Sequence, residues 1–278
     1  DLRLVKLALM LEKEKKQVHI IGLEKAKELE NVFNIKIYKD LKQALENVDV
    51  IISSIPFSRD GLTINMPLSD NKIKINDLMD LIKEKTLIAG TVSNDIYEKY
   101  RDVKIIDIMK NEKLAILNTI ATAEGAIKEI IQNTQINIHG SKIMILGFGR
   151  VGKTLTKKLE GLSAKVTVVS KEDEELAWAE AFGYRNIKLD KIINEIQEYD
   201  IIINTIPHII IDRQILEKVN KNALLLDLAS DDGGIDKNTA KEYKLNLITA
   251  LGIPGKIAPI ATAKILKEVI YEILKERK

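Results

Sequence analysis

The chain has 278 residues, 45% of them hydrophobic and 30% charged, a balance that supports folded domains with buried cores and excludes a disordered chain. The 43 Lys and Arg residues stand against 41 Asp and Glu, so the net charge of +2 gives no reason to expect nucleic acid or an anionic membrane as partner, and no uninterrupted apolar run reaches membrane-spanning length. The absence of cysteine excludes disulfides, thiolate metal sites and a cysteine nucleophile, and His19, His139 and His208 are too scattered to announce a metal cluster.

The first run, LRLVKLALMLEKEKK (2–16), has helical apolar spacing and leads into the strand-like VHIIGL (18–23). A helix and a second strand without a first make a short strand and a glycine turn expected ahead of residue 1 in the natural protein. Further β runs fall at DVIISSI (49–55), TLIAGTV (86–92) and VKIIDI (103–108), with helical stretches such as LKQALENV between them, which predicts an α/β unit with a parallel sheet. NTIATAEGAIKEIIQNT (118–134) has the apolar period of one long helix, with Thr119 or Thr122 as its cap.

From Lys142 the alternation starts afresh with a strand, a glycine turn, a helix and a second strand. Strands follow at NIKL, DIIINTI (200–206), ALLLDLAS (223–230) and LNLITAL (245–251), before a last amphipathic helix, IATAKILKEVIYEILKERK. DVIISSIPFS and DIIINTIPHI both run strand, small polar pair, Ile-Pro. The echo predicts two Rossmann-like, doubly wound parallel-sheet domains facing each other across a cleft and linked by long helices.

In ILGFGRVGK (145–153), Gly147 suits the tight turn, Gly149 the close approach of a pyrophosphate, and Gly152 the packing of helix on strand. The loop Gly147, Phe148, Gly149, Arg150, Val151 and Gly152 is thus a candidate dinucleotide cradle, with the phosphates on a helix N-terminus. The competing reading is a purely structural turn. An acidic residue ending the second strand would bind the ribose 2′-hydroxyl, whereas this strand ends in Ser170 and Lys171, which favours NADP, with NAD the alternative should Glu172 or Asp173 swing in.

Ligands of open parallel sheets lie beyond the carboxyl ends of the strands, which singles out Thr205, Ile206, Pro207 and Ser230 for the cofactor and Ser54, Thr91, Ser93, Asn94 and Thr122 for the substrate. Small polar residues of this kind also serve as turns and caps. Glu124 is a candidate base or anchor, against the alternative of a first-turn helix carboxylate, and His208 a candidate proton carrier, against a plain loop histidine. Arg59 and Lys256 are the cations chosen for an acidic substrate. No metal site is expected.

The motifs NTIATAEGAI, INIHGS with ILGFGRVG, DIIINTIP, LLLDLASDDGGID and ALGIPGKIAP, in this order, resemble the family of the dipicolinate synthase A chain. The resemblance implies an amino-terminal Rossmann or flavodoxin-like domain (1–118) completed by the C-terminal helix (259–278), and a NAD(P)-binding domain (119–258) that includes the linking helix 119–134. It implies oxidation of dihydrodipicolinate to dipicolinate, a small dicarboxylate, together with the flavoprotein-like B chain of dipicolinate synthase in the cytoplasm of the mother cell of a sporulating bacterium. Assembly as a homo-oligomer is a further expectation. Where the family carries Arg-Pro before the paired glycines this chain has Asp231 and Asp232, and Ile260 stands where a lysine is expected, which leaves the carboxylates to Arg59, Lys256 or the partner. The alternatives are a 2-hydroxyacid or amino acid dehydrogenase of similar architecture, and a nucleotide-binding scaffold protein.

Overall fold

The computed structural model describes residues 1–229, 233–250 and 252–275, and the chain divides into two compact units. One comprises residues 1–117 with the segment from Ala258 onward, and the other is Asn118–Ile257.

The first unit begins with α1 (Leu2–Lys13), capped by the Asp1 carboxylate, which accepts the Arg3 amide at 3.0 Å. There follow β1 (Val18–Ile20), β2 (Ile35–Ile37), α2 (Leu41–Ala44), β3 (Val50–Ile52), α3 (Ile75–Met79), β4 (Thr86–Ala89), α4 (Asn94–Lys99) and β5 (Lys104–Asp107). The strands pair in parallel in two separate sheets, β1–β2 and β3–β4–β5. Beside both lies an apolar cavity of about 450 Å³, lined by Val18, His19 and Ile20 of β1 and by Val50, Ile51 and Ile52 of β3, among others.

The long helix α5 (Glu112–Asn133) runs from the first unit into the second. It starts earlier than the apolar period predicts, because the Asn111 side chain accepts the Leu114 amide at 2.9 Å and so caps it upstream. Thr119 and Thr122 are therefore interior residues, not caps, and Thr122 turns its hydroxyl back onto the Asn118 carbonyl of the preceding turn at 3.0 Å.

In the second unit come β6 (Lys142–Leu146), α6 (Arg150–Gly161), β7 (Lys165–Ser170), α7 (Asp173–Ala181), β8 (Arg185–Lys188), β9 (Ile201–Asn204), α8 (Arg213–Lys218), β10 (Leu224–Asp227), α9 (Lys237–Glu242), β11 (Asn246–Thr249) and α10 (Ile253–Ile257). The last helix, α11 (Pro259–Lys275), returns to the first unit, where Leu4, Leu7 and Leu11 of α1 share a core with Ala263, Leu266 and Ile270. Lys267 and Tyr271 of α11 both reach Glu14, just beyond α1.

All six strands of the second unit are parallel, in the order β11–β10–β9–β6–β7–β8. Counted from β6 this is the doubly wound order 3-2-1-4-5-6, and its switch point lies between β6 and β9. Both faces of the sheet are covered, so its strands read as continuous apolar runs. Met144, Leu146, Ile202 and Leu225 serve one core, and Ile143, Ile145, Ile201 and Leu224 serve the other together with Ala126 and Ile130 of α5 and Leu155 of α6. Each such side chain, fully buried, contributes roughly 2 kcal/mol.

One carboxylate lies within this apolar frame. Asp227, wholly buried at the end of β10, accepts from Asn204 Nδ2 at 2.8 Å, from the Gly234 amide at 2.9 Å and from the Ala229 amide at 3.2 Å. Asp227→Ala would leave these donors unpaired, at about 1 kcal/mol or more each. Its thermal midpoint, read by circular dichroism, is expected to fall by at least roughly 6 °C; an unchanged midpoint would contradict this role.

Candidate functional site

β6 ends at Leu146, and the chain turns through Gly147 at φ +91°, a conformation that L side chains rarely adopt. A Cβ there would also stand 2.7 Å from Thr205 Oγ1. Two residues on, Gly149 is the N-cap of α6, which begins at Arg150. A Cβ on Gly152 would stand 2.1 Å from the Gly147 carbonyl oxygen, so only glycine lets α6 pack this close to the turn. Phe148 is buried beneath the loop against Val168 and Ala179, its ring edge-on to Tyr184 at 6.1 Å. Burial and a hydrogen bond to Glu160 push the Tyr184 hydroxyl up to about 12.

A bound pyrophosphate fits this cradle on one observation: among the described residues, a Cβ built on Gly149 would meet nothing within 4 Å except the tip of Glu175. Arg150 and Val151 form the first turn that would hold it.

Across the switch point, Thr205 donates both its amide and its hydroxyl to the Leu146 carbonyl, at 3.0 and 2.8 Å, which ties the end of β9 to the end of β6. Asn204 holds the next turn by accepting the Ile206 amide at 3.1 Å and donating to the Ile206 carbonyl at 2.9 Å. Ile206 is half-buried beside Gly147, whereas Pro207 and His208 are exposed just beyond it. The loop and Thr205, Ile206 and Pro207 are thus brought together at one edge of the sheet. Ser230, with Asp231 and Asp232, lies outside the described residues.

The end of β7 differs from the expectation. Ser170 is buried and donates its hydroxyl to Glu175 Oε2 at 2.7 Å while accepting the Glu172 amide at 3.1 Å, so it is committed to its own loop and not to a 2′-phosphate. Lys171 is exposed and lies 3.5 Å from Glu172. Glu175, in the first turn of α7, also accepts the Phe148 amide at 2.8 Å. Sequence reading missed it because it follows the strand end by five residues; its position in an acid-rich first turn facing a glycine loop was the available signal.

Glu124 is not a first-turn carboxylate but an exposed residue inside α5, paired with Lys158 Nζ of α6 at 2.8 Å. Thr122 spends its hydroxyl on its own helix, and Lys256 is an exposed residue of α10. In the first unit the loops after β3 and β4 are bonded to each other, Phe57 donating to the Gly90 carbonyl at 2.7 Å and Gly90 to the Ser54 carbonyl at 3.3 Å. This brings Ser54 beside Gly90, the residue before Thr91, while Ser93 caps and Asn94 begins the following helix; Arg59 is exposed farther along the first loop. Asp107, another residue not singled out from sequence, fixes the second loop by accepting the amides of Thr91 and Val92, each at 3.0 Å. Burial and the Asp107 carboxylate together push the neighbouring Tyr97 hydroxyl above its ordinary range.

No helix among the described residues is long and apolar enough to cross a membrane. Residues 1–111 match the family model described as the N-terminal domain of the dipicolinate synthase A chain, and residues 111–237 match that described as D-isomer specific 2-hydroxyacid dehydrogenase, NAD binding domain. The sequence is 27% identical to the dipicolinate synthase A chain of Bacillus subtilis (strain 168) over 281 residues, covering 99% of this chain and 94% of that protein. The crystal structure of the dipicolinate synthase A chain from Bacillus halodurans superposes with a TM-score of 0.88 at 25% identity, over 98% of this chain and 94% of that one. That of the A chain from Bacillus subtilis superposes with a TM-score of 0.87 at 25% identity, over 99% and 93%. An NAD-binding domain of the dehydrogenase type is therefore present, carrying the glycine loop. With its amino-terminal part matched to the model of that N-terminal domain and its whole length to the A chains themselves, the sequence is similar to the dipicolinate synthase A chain from end to end.

Proposed function

We propose that this chain is the nicotinamide-dependent component of an oxidoreductase that converts dihydrodipicolinate to dipicolinate, working with a flavoprotein-like B chain in the cytoplasm of the mother cell of a sporulating bacterium. The observation that carries this reading is the close turn of Gly147, Gly149 and Gly152 from β6 into α6, in a protein similar to the dipicolinate synthase A chain along 99% of its length. A bound nicotinamide dinucleotide supplies the hydride acceptor, and the loss of a hydride and a proton from the dihydropyridine ring leaves an aromatic pyridine.

The chain's own residues divide the remaining work. The first-turn amides of α6 hold the pyrophosphate. Thr205, Ile206 and Pro207 form the wall at the switch point, where the reactive ring comes to rest. His208, exposed at the end of that wall, is the better proton carrier of the two candidates, since Glu124 is held by Lys158. Arg59 and Lys256 are the cations for the two carboxylates, and the paired loops carrying Ser54, Thr91, Ser93 and Asn94 supply neutral donors. NADP is the form that Ser170 and Lys171 predict; with the Ser170 hydroxyl turned to Glu175, that expectation is left to Lys171 alone.

Gly149 tests the cradle without threatening the fold. Its backbone, at φ −71°, accepts any residue, and aspartate is a favoured helix cap. Gly149→Asp is expected to stay folded, with an unchanged thermal midpoint, and to bind reduced dinucleotide at least roughly a hundredfold more weakly because its carboxylate takes the place of the phosphates. Equal binding by the folded variant would remove the cofactor assignment. A coupled assay with dihydrodipicolinate and either dinucleotide is expected to show dinucleotide reduction when the protein is combined with the B chain. Absence of turnover from the combined proteins with both dinucleotides would contradict the reaction.

A further inference from the structure

We infer that Glu175 makes the dinucleotide site discriminate against a 2′-phosphate, so that the protein uses NAD in preference to NADP. The inference rests on the reading of the glycine loop as a dinucleotide site and reverses the preference that Ser170 and Lys171 suggest from sequence.

With the pyrophosphate on the start of α6, the adenosine ribose lies over the end of the adjacent strand, β7. The carboxylate found there belongs to α7. Glu175 Oε2 accepts both the Phe148 amide, at 2.8 Å, and the Ser170 hydroxyl, at 2.7 Å, so the side chain is pinned between the glycine loop and the strand end. Its Oε1 is 3.8 Å from the position of a Cβ on Gly149, on the side where the loop is otherwise open. An ionised carboxylate has accepting positions to spare beyond these two bonds, and a ribose diol presents two hydroxyl donors. A 2′-phosphate presents only negative charge and acceptors.

Two of the cations beside that charge are matched by other carboxylates. Residues 171–175 read Lys-Glu-Asp-Glu-Glu. Lys171 lies 3.5 Å from Glu172, and Lys188 is bonded to Asp173 at 2.8 Å, so both ammonium groups are already matched by carboxylates. Lys153 lies over the Phe148 and Trp178 rings, 5.9 and 5.8 Å from their centroids. Of the groups on α7, only Glu175 touches both the loop and the strand end. Ser170 therefore acts as the group that orients the carboxylate, not as a phosphate ligand.

The test uses the full chain and its single tryptophan, Trp178, one turn along α7 from Glu175. NADH and NADPH are titrated separately, following Trp178 quenching and nicotinamide emission. The native protein is expected to bind NADH at least roughly tenfold more tightly than NADPH. Glu175→Gln keeps an acceptor for Ser170 and Phe148 but removes the charge, and is expected to reduce the ratio of the two affinities by roughly tenfold, mainly by strengthening NADPH binding. Glu174→Gln, which removes the same charge from an exposed neighbour, leaves the ratio unchanged. Equal affinities in the native protein, or a preference for NADPH, would overturn the inference even if Glu175→Gln failed to fold, and so would an unchanged ratio in folded Glu175→Gln. Binding of neither nucleotide by the native protein would instead remove the dinucleotide reading and this inference with it.

Discussion

No room exists for a methyl group between Gly152 and the carbonyl oxygen of Gly147, and the rest of the second unit depends on that contact. A Cβ on Gly152 would come within 2.1 Å of the oxygen, so glycine is what allows α6 to begin directly against the end of β6. The contact places the start of α6 at the carboxyl edge of a six-stranded parallel sheet, next to the switch between β6 and β9. Anion binding at such an edge then requires no dedicated basic residue, because backbone amides and the helix dipole provide it.

The same edge is held in shape by a few polar side chains whose hydrogen bonds run between strands. Thr205 closes β9 onto Leu146, Asn204 shapes the turn through Ile206, and Asp227 fastens Asn204 to the segment at Gly234. These groups are buried or half-buried, so each must be satisfied, and a broken partner costs more than its bond contributes. Rigidity at the strand ends follows from that requirement.

Much of this was legible in the chain. The restart at Lys142, the glycine spacing and the apolar strands of the second unit are dictated by covalent geometry and by burial on both sheet faces, and both act locally along the sequence. What was not legible depended on contacts between segments. Thr122 has the chemistry of a cap, but Asn111 caps the helix first. Ser170 has the chemistry of a phosphate ligand, but Glu175 reaches back from the next helix and takes its hydroxyl. Glu124 reads as a free acid until α6 brings Lys158 to it. The strand Ile35–Ile37 escaped notice because two of its three residues are exposed, so no apolar run marks it.

A nicotinamide dinucleotide resting on the loop between β6 and α6 would shield the amides of that loop. Amide hydrogen exchange of the full chain, with and without NADH, measures this residue by residue. Slowed exchange over residues 147–152, 205–206 and the end of β7 at 170–175 is the predicted result. Unchanged exchange over those residues at saturating NADH, or protection only elsewhere in the molecule, would contradict it.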